Sequence, residues 1–144
     1  GVTRGLGVGL IVTLVAMLFT QLPIHNLTIT LSIVILTSMF FSIAGFINAV
    51  YANSFDDISI IPTFLLTPLI YLGGVFYSTD LLPGFWAEVS KINPILYIVN
   101  TFRYGVLGIS DINIMWAFII VSLFTISTFL FGLHLLNTGK RLRV

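Results

Sequence analysis

Residues 79–108, TDLLPGFWAEVSKINPILYIVNTFRYGVLG, decide how this chain folds. The stretch is apolar yet interrupted. Pro83 can open a short helix at its first position, and Asn93-Pro94 supplies a stop and a restart, with Asn93 as cap and Pro94 as first helical residue. Two short helices result, each about 15 Å long, against a hydrocarbon core of about 30 Å. Neither can cross a bilayer alone. In the second, Ile95, Ile98, Val99 and Phe102 recur at i, i+3, i+4 and i+7 and predict one apolar stripe, while Asn100, Thr101 and Arg103 break the rest of the surface. Two half-length helices between segments that can cross predict a hairpin over residues 81–106 that enters and leaves the membrane on one side, with protein or water around its turn.

The surrounding composition leaves one solvent for such a chain. With 58% hydrophobic residues, 8% charged residues and a mean hydropathy of +1.12, 144 residues cannot hide their apolar surface in one core, so the sequence reads as an all-α integral membrane protein. A net charge of +1 with no basic block gives no electrostatic case for nucleic acid. The absence of cysteine removes disulfides, thiolate metal sites and a thiol nucleophile. The chain begins at Gly1 and runs almost at once into an apolar segment without a cleavage pattern, and is read as the C-terminal piece of a longer protein.

Four spans are expected, over residues 4–22, 27–51, 58–77 and 112–136. Gly1, Gly5 and Gly9 share one face of the first. Ser38, Ser42, Gly45, Ala49 and Ala52 form a small-residue seam on the second, and two such helices are expected to pack closely. GLGVGL at residues 5–10 is not a phosphate loop, since it follows no strand and lacks the Lys-Ser/Thr pair. His25 in the short polar connection has no second ligand near it and reads as an interface residue. Asp56 and Asp57 are adjacent at a helix start, where carboxylates meet the positive end of the helix dipole; they do not face each other across a substrate. Pro62 and Pro68 each remove a backbone hydrogen bond from the third span, and Gly73-Gly74 weakens its far end, so a kink is expected.

No catalytic set assembles from these residues: there is no Ser-His-Asp group, no His-Glu-x-x-His and no Walker motif, and the two histidines lie near opposite membrane faces. No residue is assigned a catalytic, cofactor-binding or metal-ligating role. Glu88, Lys91 and Arg103 all belong to the hairpin, so no ionisable group lies at mid-span and a proton-coupled carrier has little support. The basic tail Lys140, Arg141 and Arg143 is expected on the cytoplasmic side. Alternation then puts both ends inside and the hairpin outside. Phe76, Tyr77, Phe85, Trp86, Tyr97 and Tyr104 gather near that outer interface, either as an aromatic belt or, more sharply, as lining of an exit. Arg103 is expected to snorkel outward or to bond carbonyls freed at a hairpin end.

Taken together, PLIYLGGVFYS (residues 68–78), the hairpin and a last span with a basic tail resemble the C-terminal half of an ABC-2-type transporter permease. FDDISIIPTFLLTPLIYLGGVFYS and NPILYIVNTFRYG are similar to the YadH-like inner-membrane permeases in particular. The resemblance implies an inner-membrane, multi-pass subunit whose spans are the third to sixth of six. It implies a second permease subunit beside it in the bilayer, a second copy of this chain or a related one, and a cytoplasmic ABC ATPase subunit that binds the ATP, with no cofactor on this chain. It also implies a re-entrant hairpin on the outer side, bordering the exit of the substrate path. The matching positions are Pro68, Gly73, Gly74 and Phe76, then Leu82 and Pro83, then Asn93, Pro94, Tyr97 and Arg103; Tyr71, Tyr77 and Trp86 join them as candidates for the outer gate and substrate path. Two positions depart from the pattern: Ser78 stands where many relatives have Pro, and Asn100 where they have an acid. Asn100 cannot form a salt bridge with Arg103.

The function expected on these grounds is the transmembrane subunit of an ATP-driven exporter, itself without hydrolytic activity. The alternative is a non-transporting scaffold or sensor that anchors an ATPase or assembly partner; it would show a tightly packed dimer interface without a polar path. A membrane-embedded enzyme comes third, for want of an acid/base set.

Overall fold

The computed structural model describes residues 1–74, 81 and 83–139. Every regular element among them is helical: α1 (Val2–Phe19), α2 (Leu27–Tyr51), α3 (Phe55–Leu72), α4 (Gly84–Ser90), α5 (Pro94–Leu107) and α6 (Ile114–Thr138). Four of these, α1, α2, α3 and α6, are long and apolar enough to cross a membrane.

Local chemistry sets the boundaries. Asn26 caps α2 by accepting from the Ile29 amide, and Asn113 caps α6 by accepting from Met115 and Trp116. At the start of α3, Ser54 Oγ accepts from the Asp57 amide while Asp57 Oδ2 accepts from Asn53 N, which is what the acidic pair does there. Pro62 and Pro68 do not break α3. Between them residues Pro62–Leu66 widen into a π-helical turn, which absorbs the lost hydrogen bonds without ending the helix. Several serine and threonine hydroxyls inside the spans bond the carbonyl one turn back, as Thr13 does to Gly9, Ser32 to Thr28 and Thr125 to Val121, although the buried Thr37 hydroxyl does not. No donor is then left facing hydrocarbon at those positions.

Helix α2 is the hub, packed against α1, α5 and α6, and α5 also packs on α6. The small core lies at that junction, on Ile33 of α2, Leu96 and Val106 of α5, and Ala117 and Val121 of α6. Large apolar side chains such as Leu10, Leu18, Leu123 and Leu130 stand outward, as befits helices whose solvent is lipid. The α1–α2 seam is as tight as its composition predicts: a Cβ built on Gly5 would lie 2.7 Å from Ser38 Oγ, and one on Gly1 still closer to Ser42. Only a residue without a side chain fits there.

Candidate functional site

The far end of α3 is closed by two glycines. Gly73 caps it, and Gly74 follows with a φ of 76°, the left-handed conformation that turns the chain away from the helix axis and leaves the Gly74 carbonyl outside the ladder. Both are buried. Gly73 lies directly on α5, where an added Cβ would come within 2.7 Å of Ile95 Cγ2.

Helices α4 and α5 are joined by a tight turn at residues 91–93. Pro83 occupies the capping position of α4, one residue earlier than the first-turn place expected from sequence, and its carbonyl accepts from Ala87 N. Asn93 is 3% exposed and works in two directions. Its Oδ1 accepts from Ile95 N, which caps α5 above Pro94, and its Nδ2 donates to the Leu69 carbonyl of α3 at 2.6 Å. Leu69 has a carbonyl to spare because it lies in the last turn of α3, where the Gly73 amide bonds Ile70 instead. The Tyr97 hydroxyl donates to the Lys91 carbonyl at 2.6 Å and Ser90 Oγ to that of Trp86 at 2.8 Å. The polar side chains of the turn thus find partners within the α4–α5 pair or on α3, and the exposed Glu88–Lys91 ion pair closes at 2.6 Å.

The other end of α5 carries an Arg-centred network. Arg103 donates through one guanidinium nitrogen to the Gly74 carbonyl and lies 3.6 Å from Asp111 Oδ2 through the other. Asn100, fully buried, donates to Leu96 O and accepts from the Asp111 amide at 3.1 Å. Asn100 therefore seats the backbone of the acid that pairs with Arg103. Asn100 does not pair with Arg103, as its chemistry requires; the acidic partner comes from the α5–α6 connection instead. Arg103 also bonds a freed carbonyl, at the end of α3. Nearby, His25 N and Asn26 N donate to the Val106 and Gly105 carbonyls, and the His25 ring meets Tyr104 edge-on at 5.4 Å. The α1–α2 connection thus satisfies the last carbonyls of α5.

These contacts fix levels along the bundle. Gly105 abuts Thr30, three residues into α2. From there α5 runs antiparallel to α2 for about 15 Å before Ile95, which with Pro94 meets Phe40 and Phe41, next to the centre of α2, across a cleft of about 320 Å³. A second route agrees. Asn48 Nδ2 donates to the Ile58 carbonyl, and from Ile58 about 16 Å of α3 leads to Leu69, the partner of Asn93. From Leu27 to Asn48 α2 measures about 31 Å, so the Asn93 turn lies about 15 Å below the start of α2 by this route as well.

Of the residues singled out from sequence, Gly73, Gly74, Asn93, Pro94, Tyr97 and Arg103 form one connected joint between α3 and the α4–α5 pair. Pro68, Tyr71 and Trp86 lie beside it with exposed side chains. Phe76, Tyr77, Ser78 and Leu82, like the basic tail, fall outside the described residues. The stripe expected on α5 is not its inward face: Ile98 and Val99 are half-buried and Phe102 is exposed, whereas Ile95, Leu96, Asn100, Thr101, Gly105 and Val106 are buried. Asp111 and Thr30 were not legible as partners of this site. Among the described residues no three His, Asp or Glu side chains come together in a way that could hold a metal ion. The arrangement is a joint: a helix with a π-turn whose end is bound to a half-length helix by one asparagine and one arginine.

Such a joint in a bundle of bilayer-crossing helices belongs to a polytopic membrane protein. Residues 1–107 match the ABC-2 type transporter family, and the chain belongs to that family. It is 46% identical over 143 residues to the inner membrane transport permease YadH of Escherichia coli (strain K12), an alignment covering 99% of this chain and 56% of that protein. Nodulation protein J of Rhizobium meliloti (strain 1021) is 26% identical over 83 residues, covering 58% of this chain and 32% of the relative. The chain thus spans little more than half the length of the YadH relatives it matches. No solved structure matches it. The four apolar helices and the inner-membrane relatives make it a multi-pass protein of the inner membrane.

Proposed function

We propose that this chain supplies the third to sixth spans of a permease subunit in an ATP-driven exporter, with α4 and α5 as a re-entrant hairpin on the outer side. Both ends of the segment are cytoplasmic in this reading. A separate ABC ATPase subunit hydrolyses the ATP, and a second copy of the permease completes the path. The observation that carries the proposal is the joint itself. The α4–α5 turn sits level with the middle of α2, and Asn93 at the turn and Arg103 at the other end of α5 both bond the end of α3, a helix that carries a π-turn and closes on two glycines. A tilt of α3 would pull on the turn through Asn93 and on the α5–α6 connection through Arg103 and Asp111. That couples a rocking subunit to an outer gate. The names of the relatives, transport permeases of the inner membrane, support the same reading.

The test is transport by the full-length protein, reconstituted with the ATPase that co-purifies with it. ATP turnover should rise with substrate and drive its outward movement. Gly74→Trp places a bulky side chain at a buried left-handed position and Arg103→Ala removes the link to α3; both should abolish transport at normal protein levels. Unchanged transport in both variants would sink the gate assignment.

A further inference from the structure

An ion pair in the middle of a bilayer needs an explanation, and the Glu88–Lys91 pair is in that position. Two independent routes, along α5 from Thr30 and along α3 from Asn48, put the α4–α5 turn about 15 Å below the start of α2, which is half the thickness of a hydrocarbon core of about 30 Å. At that depth Glu88 and Lys91 are 71% and 62% exposed and bonded to each other. The four-carbon stem of Lys91 cannot carry its ammonium to the headgroups from there, and Glu88 already holds it. Lipid around such a pair would strip both charges of water with nothing but each other in return. The polar groups of the turn that could have compensated are engaged elsewhere: Tyr97 on the Lys91 carbonyl, Ser90 on Trp86 and Asn93 on Leu69.

We propose that the α4–α5 turn is the floor of a water-filled vestibule that descends from the outer face to the midplane, with Glu88 and Lys91 as its charged lining. This rests on reading the chain as a permease with α4 and α5 on the outer side. The pair is net neutral, so the vestibule floor favours neither sign of solute. Either charge alone would make it selective, which gives the proposal an electrostatic signature that a structural ion pair lacks.

Ile92, 76% exposed beside Lys91, is the place to put a probe that leaves the pair intact. These 144 residues contain no cysteine, so Ile92→Cys in an otherwise cysteine-free full-length protein gives a single site here. Labelling is followed in sealed membrane vesicles of each orientation with two membrane-impermeant methanethiosulfonates, one anionic and one cationic. Ile126→Cys, an exposed position at the centre of α6, serves as the lipid-depth control. The expected result is labelling of Ile92→Cys from the outer side at least tenfold faster than Ile126→Cys. Adding Glu88→Gln should raise the ratio of anionic to cationic labelling severalfold, and adding Lys91→Gln should lower it. Labelling no faster than the control, access from the inner side only, or a ratio that neither substitution moves would each overturn the vestibule. No ATP or partner enters the measurement, so a vestibule that labels as expected in a protein that fails to transport would count against the exporter reading alone.

Discussion

Arg103 and Asp111 meet across 3.6 Å at the C-terminal end of α5, beside a third residue, Asn100, whose side-chain oxygen holds the Asp111 amide. The two charged side chains are 23% and 15% exposed, so neither is well solvated, and each is a liability without the other. Asp111→Asn keeps the size and the backbone bond but leaves the guanidinium with the Gly74 carbonyl as its remaining anchor of these two. The expected loss is about 2 kcal/mol in unfolding of the full-length protein in detergent. Adding Arg103→Met should cost little more, because the stranded charge is then gone. A coupling below about 0.5 kcal/mol in that cycle would show the pair to be incidental.

Asn93 holds two bonds of different kind, and substitutions can separate them. Asn93→Asp retains the acceptor that caps Ile95 but replaces the donor to Leu69 with a carboxylate oxygen facing a carbonyl. Asn93→Ala loses both bonds. The alanine variant should be destabilised by about 2 kcal/mol, the sum of a lost cap and a lost hydrogen bond. The aspartate variant should keep helix α5 while losing transport. Normal transport by Asn93→Asp would mean that the link from the turn to α3 is not part of the gate.

Gly105 brings α5 close against α2. A Cβ there would stand 2.4 Å from Thr30 Oγ1 and 3.0 Å from Thr30 N, and the second of these is backbone that cannot swing aside. Gly105→Ala is therefore expected to cost about 1–3 kcal/mol by overpacking, and Thr30→Ser should not rescue it. Gly84→Ala, where nothing lies within 4 Å, is the matched control and should be near neutral. Thermal unfolding of the two variants side by side decides the point.

The sequence was most legible where the physics is local. Apolar length marks the four long helices, Asn93-Pro94 marks the restart of α5, and the proline pair marks the irregularity in α3. The inward face of α5 was not legible, for a reason specific to membranes. Hydrophobic periodicity identifies a buried face only when the other face meets water, and a helix against lipid can turn Phe102 outward and Asn100, Thr101 and Gly105 inward at no cost. There the small and polar residues were the better signal. Asp111 was hidden by topology: it becomes a partner of Arg103 only when the chain turns back after Gly108, and no spacing rule reports that return.

Helix α1 gives the same small-residue logic its most direct test, because its tight contact is with a side chain and not with backbone. Gly5→Leu should force α1 off α2, since the Cβ alone would press to 2.7 Å from Ser38 Oγ. Gly7→Leu, with nothing within 4 Å, points away from the seam and should be tolerated. Shrinking the partner should help in a graded way: Ser38→Gly ought to recover much of the stability lost by Gly5→Ala, while leaving Gly5→Leu impaired because the remaining volume still meets Val34 and Phe41 at the edge of the adjoining cleft. Crosslinking between cysteines placed at Gly9 and Val34, where an added Cβ on Gly9 would stand 4.0 Å from Val34 Cγ1, would report the same proximity without a clash. Failure of that crosslink in the full-length protein would mean that α1 packs elsewhere in the native membrane.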